Sequence, residues 1–233
     1  MPQDPGDVKS GTDRTRRRAE RRAEMVQAAV EAVRRHGASV SIAEIAAFAG
    51  ITKPVLYRHF TDRADLQRAV GEQAAALLVA RIAPELMQDR EPREHVRGAV
   101  DAFLAGIEEE PQLWRFVVHN PAERAVGEAV VDDARQQIAS LLATLLGERL
   151  RALNLDSGGA EAWAQGLVGM VQSAGDWWLE RRTMSRQALT DYLTALIWGG
   201  VAGVLATAGT GPAGTLRVVA PTPTDPDAGA HHG

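Results

Sequence analysis

From Thr15 to Thr207 the apolar residues recur at helical spacing and almost never alternate, and this pattern constrains the fold more than any other feature. Met25, Val26, Ala29, Val30 and Val33 fall on one face of a first helix, read as Thr15–His36, and Gly37 follows as its stop. Ile42, Ile45, Ala46 and Ala49 give a short second helix an apolar face, and Gly50 ends it. Ser41 and Glu44 have the S-x-x-E spacing in which each side chain satisfies an amide of the other's turn. A third helix is expected after Thr52, a good N-cap, with Pro54 in the first turn where a missing N–H costs nothing, running to Phe60. A fourth is read from Asp62 to about Arg81, with Pro84 closing that region. Longer patterned stretches cover about 92–109, 111–119, 122–153, 160–182 and 186–207, with prolines at 92, 111 and 121 marking starts and 156–159 forming a turn. Only Leu216–Ala220 looks strand-like. The fold class expected is all-α.

With 45% apolar and 24% charged residues, the 233-residue chain can bury a proper core. It has no cysteine, which removes disulfides, thiolate metal sites and cysteine nucleophiles. No secretory pattern and no apolar run near 20 residues is present, so a cytoplasmic protein without a membrane partner is expected. His95 and His119 stand in no metal or catalytic spacing, and there is no phosphate loop or G-x-S-x-G. Neither an enzyme, a cofactor nor a metal is expected; His231 and His232 read as part of a solvated tail.

The net charge of −4 and pI of about 5.9 argue at first against nucleic acid. The average conceals a split. Residues 1–68 carry 13 basic and 9 acidic side chains, and the remainder carries 13 and 21. The net positive charge therefore sits on the segment with the two short helices joined by Gly50-Ile51-Thr52. That arrangement is a helix-turn-helix: an apolar first helix to dock, a glycine turn, and a second helix with the polar N-terminal end Thr52-Lys53-Pro54.

The run Ser41-Ile-Ala-Glu-Ile-Ala-Ala-Phe-Ala-Gly-Ile-Thr-Lys-Pro-Val-Leu-Tyr-Arg-His-Phe60, then Thr61-Asp-Arg-Ala-Asp-Leu66, resembles the DNA-binding domain of the TetR family of transcriptional regulators. The resemblance covers about residues 15–68; the rest agrees in length and helical character alone. It implies an N-terminal three-helix helix-turn-helix domain and a larger C-terminal helical ligand-binding and dimerisation domain. The divisions expected are a disordered arm over 1–13, the DNA-binding domain over 14–62, the larger domain over 63–208 and a flexible tail over 209–233. It also implies base-edge or groove contacts from Thr52, Lys53, Pro54 and Val55, phosphate or groove-wall contacts from Tyr57 and His59, and a phosphate grip from Arg63, where the family usually has lysine. Ser41 joins this set, and Leu56 and Phe60 read as core. The run Arg14, Arg16, Arg17, Arg18, Arg21 and Arg22 offers phosphate or minor-groove contacts, Arg17 and Arg18 foremost, or else forms a solvated face balanced by Glu20 and Glu24.

For the larger domain the resemblance implies a homodimer, a double-stranded DNA operator and an unknown small-molecule effector. Leu167, Val171, Trp178, Leu189, Leu193, Leu196, Gly200 and Val204 are the candidate dimer residues, although the same stripes would serve as intrachain core. Gly199, Gly203 and Ala206 add a thin neighbouring face. Phe103, Trp114, Phe116, Val117, Trp163, Met170 and Trp177 are the candidate effector-lining residues, or simply core. The function implied is a ligand-responsive, sequence-specific regulator, a repressor released from a palindromic operator by a small apolar molecule. Two alternatives stay open: a helical interaction module without DNA binding, and an activator on the same scaffold.

Overall fold

The computed structural model describes residues 5–118 and 124–208, with side chains placed for 13–118 and 124–203. The described residues form nine helices and no strand: α1 (Pro5–His36), α2 (Ile42–Phe48), α3 (Lys53–Leu56), α4 (Arg63–Met87), α5 (Pro92–Glu109), α6 (Pro111–Val118), α7 (Arg124–Ala152), α8 (Ala160–Arg181) and α9 (Arg186–Ala208). The strand-like Leu216–Ala220, the tail over 209–233, His119, His231 and His232 lie outside the described residues.

Three boundaries differ from the sequence reading. α1 begins at Pro5, so most of the arm expected to be disordered is helical. Asp13 supports that extension, pairing with Arg16 at 2.5 Å and Arg17 at 2.9 Å, three and four residues on. α3 is a single turn that ends at Leu56, and the chain then tightens: the Arg58 amide bonds the Val55 carbonyl, and the His59 and Phe60 amides both bond that of Leu56. α4 continues through Pro84 to Met87. The carbonyl left without an amide by Pro84 belongs to Ala80, and both residues are exposed, so water can take the place of the lost bond.

Two apolar cores result. The N-terminal core joins Ala29, Val30, Val33, Ile45, Leu56 and Phe60 from the first three helices and the turn after them. It does not stop at residue 62: Leu66, Ala69 and Val70 of α4, Leu113, Phe116 and Val117 of α6, and Val130 of α7 belong to it. The second core lies between α4, α5, α7, α8 and α9, around Leu104, Ile107, Trp178, Leu179, Leu189 and Leu193. Gly71 and Gly127 allow close passage where α4, α6 and α7 meet. A Cβ on Gly127 would lie 1.9 Å from the Val117 carbonyl oxygen, and one on Gly71 would lie 3.2 Å from Val130.

Candidate nucleic-acid interface and effector cavity

The turn between α2 and α3 is built from backbone bonds. Ser41 and Glu44 cap α2 reciprocally, at 2.8 Å from the Ser41 amide to the Glu44 carboxylate and 3.3 Å from the Glu44 amide to the Ser41 hydroxyl. The Ser41 amide, more than the hydroxyl, holds the Glu44 carboxyl below the usual carboxylate range. At the other end the Ile51 amide reaches the Ala46 carbonyl (2.9 Å) and the Gly50 amide that of Ala47 (3.0 Å). This pair of bonds is a Schellman stop, and it requires the left-handed conformation that Gly50 adopts at φ +68°.

The stop turns α3 so that Thr52, Lys53 and Pro54 are exposed while Leu56 is buried. Thr52 has N-cap geometry, but its hydroxyl makes no capping bond. Pro54 brings no amide and the Val55 amide bonds the Thr52 carbonyl, so neither position offers a free backbone donor at this end. Tyr57 is 44% exposed beside exposed Arg58, whereas Val55 is half-buried against the N-terminal core. His59 is also half-buried, and its Nδ1 is enclosed without a hydrogen-bond partner. Arg63 is exposed at the first residue of α4, whose N-cap Asp62 accepts from the Asp65 amide at 2.8 Å.

The basic run on α1 divides by partner. Arg17 is exposed and paired with Asp13, Arg21 pairs with Glu24, and Arg18 donates to the Arg58 carbonyl at 3.5 Å. Arg22 turns inward to Asp65. Ser41 is half-buried and occupied in its cap, which leaves it a structural part in this geometry. Arg58 is a further exposed cation at this end, and its signal in the sequence is its place between Tyr57 and His59, with the buried Leu56 and Phe60 flanking them.

Beyond this end, α4 to α9 line a partly open cavity of about 840 Å³. Two of its wall residues on α7, Val130 and Arg149, lie about 28 Å apart along the helix, so the space is long rather than round. Its walls are mostly apolar: Leu78 and Ile82 from α4, Val96 and Phe103 from α5, Ile138 and Leu142 from α7, Val168 from α8 and Trp198 from α9. Of the seven candidate lining residues, Phe103, Trp114 and Val117 face it. Trp114 is fixed there by donation to Asp176 at 2.8 Å and an edge-to-face contact with Phe103. The other four are elsewhere. Phe116 is in the N-terminal core because α6 packs against α1 and α4; Trp163 lies against the Gly159 turn; Met170 packs on the second core; Trp177 is 44% exposed. The α4 contribution had a readable signal, Leu78, Ile82 and Leu86 at four-residue spacing.

The cavity reaches α1 through α6. Arg34 of α1 holds Glu110, just before α6, with two bonds of 3.0 and 2.7 Å, and the Ala38 amide donates to Gln112 of α6 at 3.3 Å. Bonding to Glu110 raises the Arg34 guanidinium further above its ordinary value. Among the described residues, no cluster of His, Asp or Glu is arranged to hold a metal, and no helix is long and apolar enough to cross a membrane.

The family model described as "Bacterial regulatory proteins, tetR family" matches residues 26–70, and that described as "Tetracyclin repressor-like, C-terminal domain" matches 79–213. The chain belongs to the TetR family. It is similar to an uncharacterised HTH-type transcriptional regulator of Mycobacterium tuberculosis, 36% identical over 82% of each chain. It is also similar to the HTH-type transcriptional activator FasR of Mycolicibacterium smegmatis, 30% identical over 80% of this chain and 85% of that one. Among solved structures, FadR of Bacillus subtilis in complex with stearoyl-CoA shares the fold, with a TM-score of 0.60 at 15% identity over 76% of this chain and 98% of that one.

In this TetR-family chain, the residues proposed for the dimer divide between two faces of α8 and α9. Trp178, Leu189 and Leu193 are buried within the chain, and the Trp178 indole donates to the Met184 carbonyl at 2.8 Å. Leu167 and Val171 line the cavity. These five are taken up by intrachain packing, a register that helical spacing could not separate from an outer face. Leu196 is 62% exposed and Gly200 is exposed, while the Val204 side chain lies outside the described residues. The outer stripe of α9 is Tyr192, Leu196, Gly199 and Gly203, and that of α8 is Gly166, Gly169 and Trp177. A Cβ on any of those four glycines would meet no atom within 4 Å.

Proposed function

We propose that this TetR-family regulator is a ligand-responsive repressor that binds a palindromic operator as a homodimer and is released by a small apolar molecule. The observation that carries the reading is the shared framework. The exposed Thr52-Lys53-Pro54 end and the long apolar cavity are joined by α4 and by α6, which lines the one and grips the helix behind the other. An occupant that favours one arrangement of α4 and α6 shifts the population of DNA-competent states by its difference in affinity between them.

The length and apolar walls of the cavity suit an extended hydrocarbon chain better than a compact polycyclic one. The stearoyl-CoA held by the B. subtilis neighbour supports an acyl chain as the occupant. Lys53, Tyr57, Arg58 and Arg63 are the side chains through which the reading has DNA gripped, with Thr52 and Pro54 at the base edges. The exposed stripes with Trp177, Tyr192 and Leu196 support pairing of two copies, because glycines beside them permit close helix approach. A second reading, activation, is favoured by the similarity to the activator FasR.

Selection of bound duplexes from a random pool tests the first half: a palindrome with half-sites about 34–36 Å apart, or a multiple, is expected. Adding stearoyl-CoA to that complex tests the second: DNA release and a raised unfolding temperature are expected. An enriched sequence without symmetry, or DNA binding indifferent to the ligand, would count against the corresponding half.

A further inference from the structure

Arg22 is set apart from the other arginines of its run. Its Nη2 donates to Asp65 Oδ1 at 2.5 Å, joining α1 to α4 across 43 residues. Its guanidinium lies 4.6 Å from the centroid of the Phe60 ring, which is 1% exposed in the N-terminal core. The second oxygen of Asp65 accepts from the Thr61 amide at 3.0 Å and the Thr61 hydroxyl at 3.5 Å, and the Asp65 amide goes to Asp62. The Phe60 amide bonds the Leu56 carbonyl at the end of α3. One carboxylate and one guanidinium therefore join α1, the segment leaving the recognition helix and the first turn of α4. A planar cation that both stacks on a ring and bonds a carboxylate is work for arginine, which lysine cannot reproduce.

We propose that Arg22 and Asp65 form a positioning brace for the recognition helix: neither touches DNA, and together they set the orientation of α3 relative to α4. Arg22 is matched to a carboxylate on another helix and its side chain is half as exposed as that of Arg17, which pairs only within its own helix, at 37% against 74%. The proposal rests on the DNA-binding reading above.

The test is binding of the full chain to a fluorescent duplex bearing the enriched sequence, and to a scrambled duplex, across a range of salt. D65N is expected to weaken the enriched duplex about tenfold and leave the scrambled one unchanged, with the slope of log K against log salt unaltered. If Arg22 were instead a phosphate ligand held back by Asp65, D65N would tighten both duplexes. R22K is expected to behave like D65N, because it keeps the charge but loses the stack; a phosphate ligand would leave R22K near the parent. R22Q is expected to keep the parental salt slope, whereas loss of a phosphate contact lowers the slope by about one. Tighter binding in D65N, near-parental R22K or a flattened slope in R22Q each overturn the brace. If D65N loses helical circular dichroism, the contrast between R22K and R22Q decides alone. Failure of the parent chain to enrich any sequence would overturn the DNA-binding reading instead, and is separable because it appears before any substitution is made.

Discussion

The two ends of the molecule share α4, α6 and α7 and pack them in opposite ways. Around the helix-turn-helix, Ala29, Val33, Leu56 and Val70 are fully enclosed and the turns are closed by reciprocal caps. About 15 Å along α4, the wall residues Leu78 and Ile82 face an open space of about 840 Å³. The DNA-facing end has to hold α3 in one orientation, so its helices leave no room for alternatives. On the proposed function the other end admits a molecule, and there the helices stand apart around the cavity, with polar ties such as Trp114 to Asp176 between them. Gly71 lies near the change: Leu66, Ala69 and Val70 before it belong to the N-terminal core, and Leu78, Ile82 and Leu86 beyond it line the cavity.

The largest effect should separate the two ends directly. L56A is expected to cost about 3 kcal/mol, as a large-to-small change in a filled core. L142A, in a half-buried position that already borders empty space, is expected to cost about 1 kcal/mol. Urea denaturation of both variants checks the contrast, and equal costs would break it. G127A is next. Its new methyl would lie 1.9 Å from the Val117 carbonyl, so α6 and α7 must separate, at about 2 kcal/mol by the same measurement. K53A is expected to weaken operator binding about tenfold and to lower the salt slope by about one, leaving stability alone.

Filling the space sharpens the comparison from the other side. L142W is expected to leave stability within about 1 kcal/mol and operator affinity unchanged, while removing the thermal shift that the proposed function expects from stearoyl-CoA. An unaltered shift would place the occupant elsewhere. The smallest effect is one of pH. The Glu44 carboxyl is held low in the folded state, so its contribution is present above the unfolded carboxylate value of about 4.3 and is lost as pH falls through the folded value. E44Q should make the acid limb of a stability–pH curve slightly shallower and leave neutral stability nearly flat with pH. A steeper limb would contradict the assigned cause.

The helix-turn-helix was legible because its determinants are local. A cap at Ser41, a left-handed glycine at 50 and a proline in the first turn of α3 each act within a few residues, and the structure has Ser41 and Gly50 making the expected bonds. α5 was readable to the residue, since Pro92 opens it and Glu110 follows its end. Pro84 was misleading because proline is tolerated where its unmatched carbonyl meets water, and exposure is a property of the packed helix. Single aromatic residues were misleading in the same way: Phe116 and Trp177 have the chemistry of cavity wall but face the N-terminal core and solvent respectively.

The sequence by itself determined the helical class, the helix ends set by Gly37, Gly50, Pro92 and Pro111, and the basic and acidic division of the chain, because these depend on neighbours along the backbone. Tertiary structure alone decided which face of α8 and α9 is inward, that α6 belongs to the core behind the recognition helix, and that Arg22 meets Asp65. The physical reason is that an amphipathic period gives a helix one apolar stripe but does not name the helix it will meet.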